Sequence, residues 1–276
     1  MWTPQVLTLE VAAGVALDSA PEPGMAGEPA GGPAFKEVRL TPAQIQVGAL
    51  AMKSQLEIPT VSVETEVDIT PLYLQRKALQ QQIDARARVH ITFTHLLLWA
   101  LVQAMREERH EGFRGRLGAH HEILLVTPHV NVGFAALGPQ DDLFSPVIKE
   151  ANRLTFIDLV KRAQELTESV RTGSINSADL QGATVTLTNI GAFEATGGTP
   201  FVIPGQVAMV CAGSILERPR YVPGSAQSTA EHRKALPLKL VFDHRPFNGS
   251  HAASFLRTLK HNLETMDLQA LISTPG

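Results

Sequence analysis

The sequence predicts a mixed α/β protein, because segments with the two-residue period of a strand and segments with the period of a helix follow one another along the chain. Val61-Ser-Val-Glu-Thr-Glu-Val-Asp-Ile69 alternates apolar and polar side chains, as a half-buried strand does. Phe156, Leu159, Val160, Ala163, Leu166 and Val170 recur at helical spacing instead and make an amphipathic surface helix. A hydrophobic share of 44% against 18% charged residues gives these elements a sizeable core to enclose.

Taken in order, the elements begin late. Val6 to Leu17 is apolar enough to pack as a strand against a neighbour and is equally compatible with disorder. Residues 20–34 are rich in Pro, Gly and Ala and nearly free of charge; that composition resists helix and sheet alike and reads as a flexible arm or linker. The chain therefore divides into an N-terminal arm and linker over residues 1–35 and one folded domain over residues 36–276. After the strand at 61–69, Pro71 opens a helix through Arg88. Phe93 to Met105 is apolar almost all round, which marks a helix buried between layers. Strands are expected over Ile123–Val126, Val130–Leu137 and Leu143–Lys149, before the amphipathic helix that starts at Phe156. Three more lie near Thr184–Thr188, Gln206–Gly213 and Leu236–Phe242. A final helix carries Ala252, Phe255, Leu256, Leu259 and Leu263 on one face, and no internal repeat is visible.

Several function classes lose support at once. The net charge is −3 with no basic block, so nucleic-acid binding has no electrostatic footprint. The longest apolar run, Leu96 to Val102, is too short to span a bilayer, and no Lys or Arg precedes Lys36 to start a secretory signal. The single cysteine, Cys211, reads as a small core hydrophobe in a reducing cytoplasm. Among ten histidines there is no His-Glu-x-x-His and no accompanying cysteine pair, so a metal has little support. Glycine-rich phosphate cradles and a Gly-x-Ser-x-Gly elbow are also absent.

One stretch stands apart: Leu238-Lys-Leu-Val-Phe-Asp-His-Arg-Pro-Phe-Asn-Gly-Ser250. An alternating strand runs into Asp243-His244-Arg245, and a tight turn through Pro246, Asn248 and Gly249 precedes the last helix. Spacing alone leaves His244 between a residue that caps the turn and one that projects into a cleft. The segment resembles the His-x-x-x-Asp-Gly signature of the dihydrolipoamide acyltransferases of 2-oxoacid dehydrogenase complexes, shared with chloramphenicol acetyltransferase. Further segments match in the same order: Ile58-Pro-Thr-Val-Ser-Val-Glu-Thr-Glu-Val-Asp-Ile69, Phe93-Thr-His-Leu-Leu-Leu-Trp-Ala100, Val130-Asn-Val-Gly-Phe-Ala, Pro146-Val-Ile, and Asp179-Leu-Gln-Gly-Ala-Thr-Val-Thr-Leu-Thr-Asn-Ile-Gly191. The resemblance covers roughly residues 36–270.

The resemblance implies a two-layer sandwich of mixed sheet and helices of the chloramphenicol acetyltransferase type. It implies a homotrimer with active sites between subunits and a coenzyme A thioester, acetyl-CoA, as co-substrate. The position matching the family's general base is His244, which takes the acceptor's proton. The family's hydroxyl donor to the tetrahedral oxyanion falls on Thr188, a residue that by itself reads equally as a strand hydroxyl bonded to backbone. Asn248 stands where the signature usually has Asp, and the Arg-Lys pair that commonly partners that Asp is missing from Arg39 to Lys53. Thr60 replaces the histidine of Ile-Pro-His, and Asp141-Asp142 replaces a turn that often holds Gly. Residues 1–35 hold neither a lipoyl domain nor a subunit-binding domain. The expectation is therefore a free-standing biosynthetic enzyme without a covalent lipoyl group or metal, acylating a small-molecule hydroxyl in specialised metabolism. The alternatives are the core of a dihydrolipoamide acyltransferase, with Leu268 to Ile272 as an anchor between trimers, and a non-catalytic binding homologue.

Overall fold

The computed structural model describes residues 35–87, 89–220 and 231–273. The segment expected as an arm and linker over 6–34 therefore lies outside the described residues, as does the last residue of the helix expected to reach Arg88. Residues 35–39 belong to a separate N-terminal unit and carry no regular secondary structure. The folded unit, Leu40–Gly276, is described below.

It opens with a helix absent from the sequence reading, α1 (Pro42–Glu57). Its start is nonetheless well specified: Thr41 caps the first turn by accepting from the Gln44 N–H, and the Gln44 side chain accepts in return from the Thr41 N–H. Strand β1 (Thr60–Asp68) and helices α2 (Thr70–Ala87) and α3 (Phe93–Arg106) follow where the periodicities place them. The expected strand over 130–137 breaks into β4 (Val132–Phe134) and β5 (Ala136–Leu137), after a small hairpin of β2 (Gly115–Leu117) and β3 (Leu124–Val126). The one over 143–149 likewise breaks at Ser145-Pro146 into β6 (Leu143–Phe144) and β7 (Val147–Ile148), since Pro146 has no N–H to give a ladder. Between them Gln140 and Asp141 hold left-handed backbone, φ 61° and 60°, which explains why glycine is at home in this turn. The chain continues through α4 (Phe156–Arg171), β8 (Val185–Asn189), β9 (Ala208–Ala212), β10 (Leu216–Arg220), β11 (Glu231–Asp243), α5 (Gly249–Glu264) and α6 (Leu268–Ser273).

The main sheet runs β1-β11-β9-β8-β4-β7, with β10 also paired to β11. β8 pairs in parallel with both β9 and β4, and the other pairings are antiparallel. One face presents Phe242, Leu240, Leu238, Val210, Val185, Leu187 and Val132 to the core shared with α3, α4 and α5. α3 is the centre of that layer, with Leu96 to Leu98 and Ala100 to Val102 essentially without exposure. The opposite face carries the alternate residues Val241, Lys239, Met209, Cys211, Thr186, Thr188 and Gly133, as the register requires. There Val241 packs with Ile58 and Val202 in a small cluster of its own. A mixed sheet with α3, α4 and α5 layered on one side is the two-layer sandwich expected.

Candidate active site

β11 buries alternate side chains up to Phe242 and ends at Asp243, a carboxylate only 1% exposed. Such a charge needs a partner, and Arg245 supplies it by folding back two residues. Its Nε donates to both carboxylate oxygens at 2.9 and 3.0 Å, its Nη2 to Oδ2 at 2.6 Å and its backbone N–H to Oδ1 at 3.0 Å. The carboxylate in turn raises the Arg245 pKa above its ordinary value. The residue held between them is His244. Its N–H donates to the Pro59 carbonyl at 2.9 Å, and its ring lies on Phe242 with centroids 5.7 Å apart. His244 is exposed, and neither ring nitrogen has a hydrogen-bond partner among the described residues.

The far side of the turn is equally fixed. Phe247 is buried and stacks on Phe113, centroids 4.3 Å apart, which stacks on Phe255 of α5. Asn248 is the N-cap of α5: its Oδ1 accepts from the Ser250 and His251 N–H groups at 3.1 Å and from the Ser250 hydroxyl at 2.7 Å. No arginine among the described residues pairs with it. The missing Arg-Lys pair is thus matched by a residue whose carbonyl is engaged by a helix end, a place that suits Asp as well as Asn.

Thr188 stands elsewhere. Three threonines alternate along this stretch, and two are engaged: Thr184 donates to the Phe113 carbonyl and Thr186 to Gln206 Oε1, at 2.8 and 2.7 Å. The Thr188 hydroxyl has no partner among the described residues, so the backbone-bonded reading of it fails. It opens into a cavity of about 380 Å3 whose walls include Val47 and Leu50 of α1, Phe144, Phe201, Gln206 and Met209. The strand end is set by Asn189, whose amide donates to Thr94 Oγ1 at 3.0 Å and whose carbonyl accepts from the Gly191 N–H at 3.1 Å. Gly191 is required here, because a Cβ would meet the Gly213 carbonyl oxygen at 2.5 Å.

The register separates the two candidates. Thr188 lies beside Cys211, Cys211 beside Lys239, and His244 is five residues farther along β11. At about 3.3 Å per residue and about 4.8 Å between strands, they sit roughly 19 Å apart in one chain. Sequence reasoning missed four contributors. Asp243 and Arg245 stood in the motif without a role, Gln206 lay in an apolar run, and α1 was unread. Cys211 is buried, which pushes its thiol pKa up, in keeping with a core residue. Among the described residues no cluster of His, Cys, Asp or Glu is placed to hold a metal, and no helix is long and apolar enough to cross a membrane.

The mixed sheet thus presents an unengaged histidine just past one strand end and an unengaged hydroxyl near another, among the described residues. The chain belongs to the family described as 2-oxoacid dehydrogenases acyltransferase (catalytic domain), whose model matches residues 32–271. It is 30% identical over 83% of its length to the dihydrolipoyllysine-residue acetyltransferase component of the acetoin cleaving system of Bacillus subtilis (strain 168), covering 55% of that protein. It is 31% identical over 81% of its length to the corresponding pyruvate dehydrogenase component of Pseudomonas aeruginosa, covering 40% of it. The chain thus spans about half or less of the length of these curated relatives. Among solved structures, the Azotobacter vinelandii dihydrolipoamide acetyltransferase superposes with a TM-score of 0.77 at 30% identity, covering 87% of this chain and 94% of that one. That structure was studied for the roles of a serine, a histidine and an asparagine in its catalytic mechanism.

These relatives overturn one expectation. They are dihydrolipoyl acetyltransferase components, not free-standing enzymes that acylate a small-molecule hydroxyl in specialised metabolism. The reason is chemical: a histidine that accepts a proton serves a thiol or a hydroxyl alike, so the motif carries no information about the acceptor.

Proposed function

We propose that residues 36–276 form a catalytic domain that transfers an acyl group between a coenzyme A thioester and a dihydrolipoyl thiol. His244 is the general base. It takes the proton of the attacking thiol as sulfur bonds to the acyl carbon. The oxyanion that forms is held by the Thr188 hydroxyl. Collapse breaks the original carbon–sulfur bond, and the departing thiolate takes the proton back from the imidazolium. Asn248 caps α5 and keeps the turn in place, and its Nδ2, with no partner among the described residues, is available to a substrate oxygen.

What supports this reading is that His244 and Thr188 are both unengaged among the described residues, in a chain similar to an Azotobacter protein studied for a serine, a histidine and an asparagine in its mechanism. Groups roughly 19 Å apart in one chain cannot both reach one acyl carbon, so His244 of one copy works with Thr188 of another in a homotrimer with sites between subunits. Acetyl-CoA or a longer acyl-CoA is the co-substrate, the acceptor is a lipoyl group not carried on these residues, and a single buried cysteine suits a cytoplasmic setting. The test is release of free coenzyme A thiol from acyl-CoAs with dihydrolipoamide as acceptor. Transfer to dihydrolipoamide is the expected result, and no transfer from any acyl-CoA would refute the reading.

A further inference from the structure

The cavity beside Thr188 bears on which acyl group is moved, and the inference rests on the acyl-transfer reading above. Apolar side chains form most of its wall: Val47 and Leu50 from α1, Leu143 and Phe144 from β6, Phe201 from the loop before β9, and Met209 from β9 itself. The polar lining residues are Gln46, Ser145, Gln206 and Thr188. The Gln206 carbonyl is already taken by the Thr186 hydroxyl at 2.7 Å, and the Thr188 hydroxyl, on the strand the family resemblance singles out, is free to meet an acyl carbonyl.

An acetyl group puts only a methyl beyond that carbonyl, about the size of a water molecule, which takes up about 30 Å3. The cavity is about 380 Å3. Left unfilled, such a wall gains nothing from dispersion contacts and offers trapped water few partners. The pantetheine arm carries its first amide two carbons from the sulfur, which this lining serves poorly. A hydrocarbon acyl chain has no polar atom past its carbonyl, and it starts where Thr188 stands.

We propose that this cavity holds the acyl chain of the thioester and selects branched and medium-length acyl groups over acetyl. Each methylene buried there should raise kcat/KM about fourfold. The experiment is kcat/KM for transfer to dihydrolipoamide from acetyl-, propionyl-, isobutyryl-, isovaleryl- and hexanoyl-CoA. Isovaleryl-CoA is expected to exceed acetyl-CoA by about tenfold or more. The Val47→Trp variant, which fills the cavity from α1, should bring that ratio down toward one. Acetyl-CoA as the preferred donor, with transfer intact, overturns the pocket assignment alone. So does a flat series in which Val47→Trp raises KM for dihydrolipoamide, since the acceptor arm would then be the occupant. Absence of transfer from every thioester overturns the acyl-transfer reading and this one with it. Should the variant not fold, the donor series of the unaltered protein still decides.

Discussion

The turn from Asp243 to His251 is shaped mainly by contacts among its own residues, whereas the surroundings of Thr188 are assembled from segments as far apart as Val47 and Met209. In the turn, Arg245 neutralises Asp243 and Asn248 caps the helix that follows, while the Val207 and Pro59 carbonyls and the stacked rings of Phe113 and Phe255 reach in from elsewhere. At the strand, the free hydroxyl is defined by what its neighbours leave it: Thr184 and Thr186 find partners and Thr188 does not. A largely local device fixes how His244 is held. A non-local one fixes what surrounds the Thr188 hydroxyl.

The sharpest way to break this comparison is to remove one device from each copy. His244→Ala should lower turnover by about 10²–10⁴-fold, and Thr188→Ala by about 10²–10³-fold, with thermal melting little changed in either. If the two act across copies, dissociating the two inactive variants and reassembling them together should restore part of the activity. No recovery in verified mixed assemblies would place both groups in one chain. Next comes Arg245→Gln, which strands a buried carboxylate and should cost about 3–5 kcal/mol of stability in denaturant unfolding. Adding Asp243→Asn should recover much of it, because no charge is then left without a partner. A single variant as stable as the parent would show that the clasp does not hold the turn.

A third test lies away from the site. Burial, and then the nearby charge of His90, push the pKa of His95 down from 6.5 to about 4. Its Nδ1 accepts from the Thr92 N–H at 3.1 Å at the start of α3. Between these values the unfolded chain binds the proton and the folded chain does not. Stability is therefore full above pH 6.5 and falls as pH drops toward 4, by up to about 3 kcal/mol from this residue. His95→Gln should flatten that part of the curve, and an unchanged slope would assign the acid sensitivity to other groups. The smallest effect expected is Asn248→Asp. A helix N-terminus accepts either oxygen, so stability should move by only about 0.5 kcal/mol, while Asn248→Ala should lose about 1 kcal/mol. A large loss for Asp would mean that the missing arginine mattered more than the cap.

Much of the architecture was legible from periodicity. β1, α3, α4 and the second half of β11 lie where alternating or helical patterns placed them, because each buries one face against a common core and burial writes its period into the residues. The helix α1 was not legible. Ile45, Met52 and Leu56 stay exposed on it, so no apolar stripe announces its inward side. The polar half of β11 also escaped. It pairs with β10 through Lys234–Glu217 at 2.5 Å and similar contacts rather than by burying side chains.

From the sequence alone came the order of most strands and helices after α1 and the sharp turn bearing His244, since local periodicity and turn chemistry act over a few residues. The packing of distant segments decided that the Asp243 carboxylate is buried, that Thr188 alone of its neighbouring threonines is unengaged among the described residues, and that a mostly apolar cavity lies beside it. The strand register, a property of pairing between distant segments, also set His244 and Thr188 far apart in one chain. Periodicity says which face of a strand is buried; it does not say which strand lies next to it or how far it is shifted.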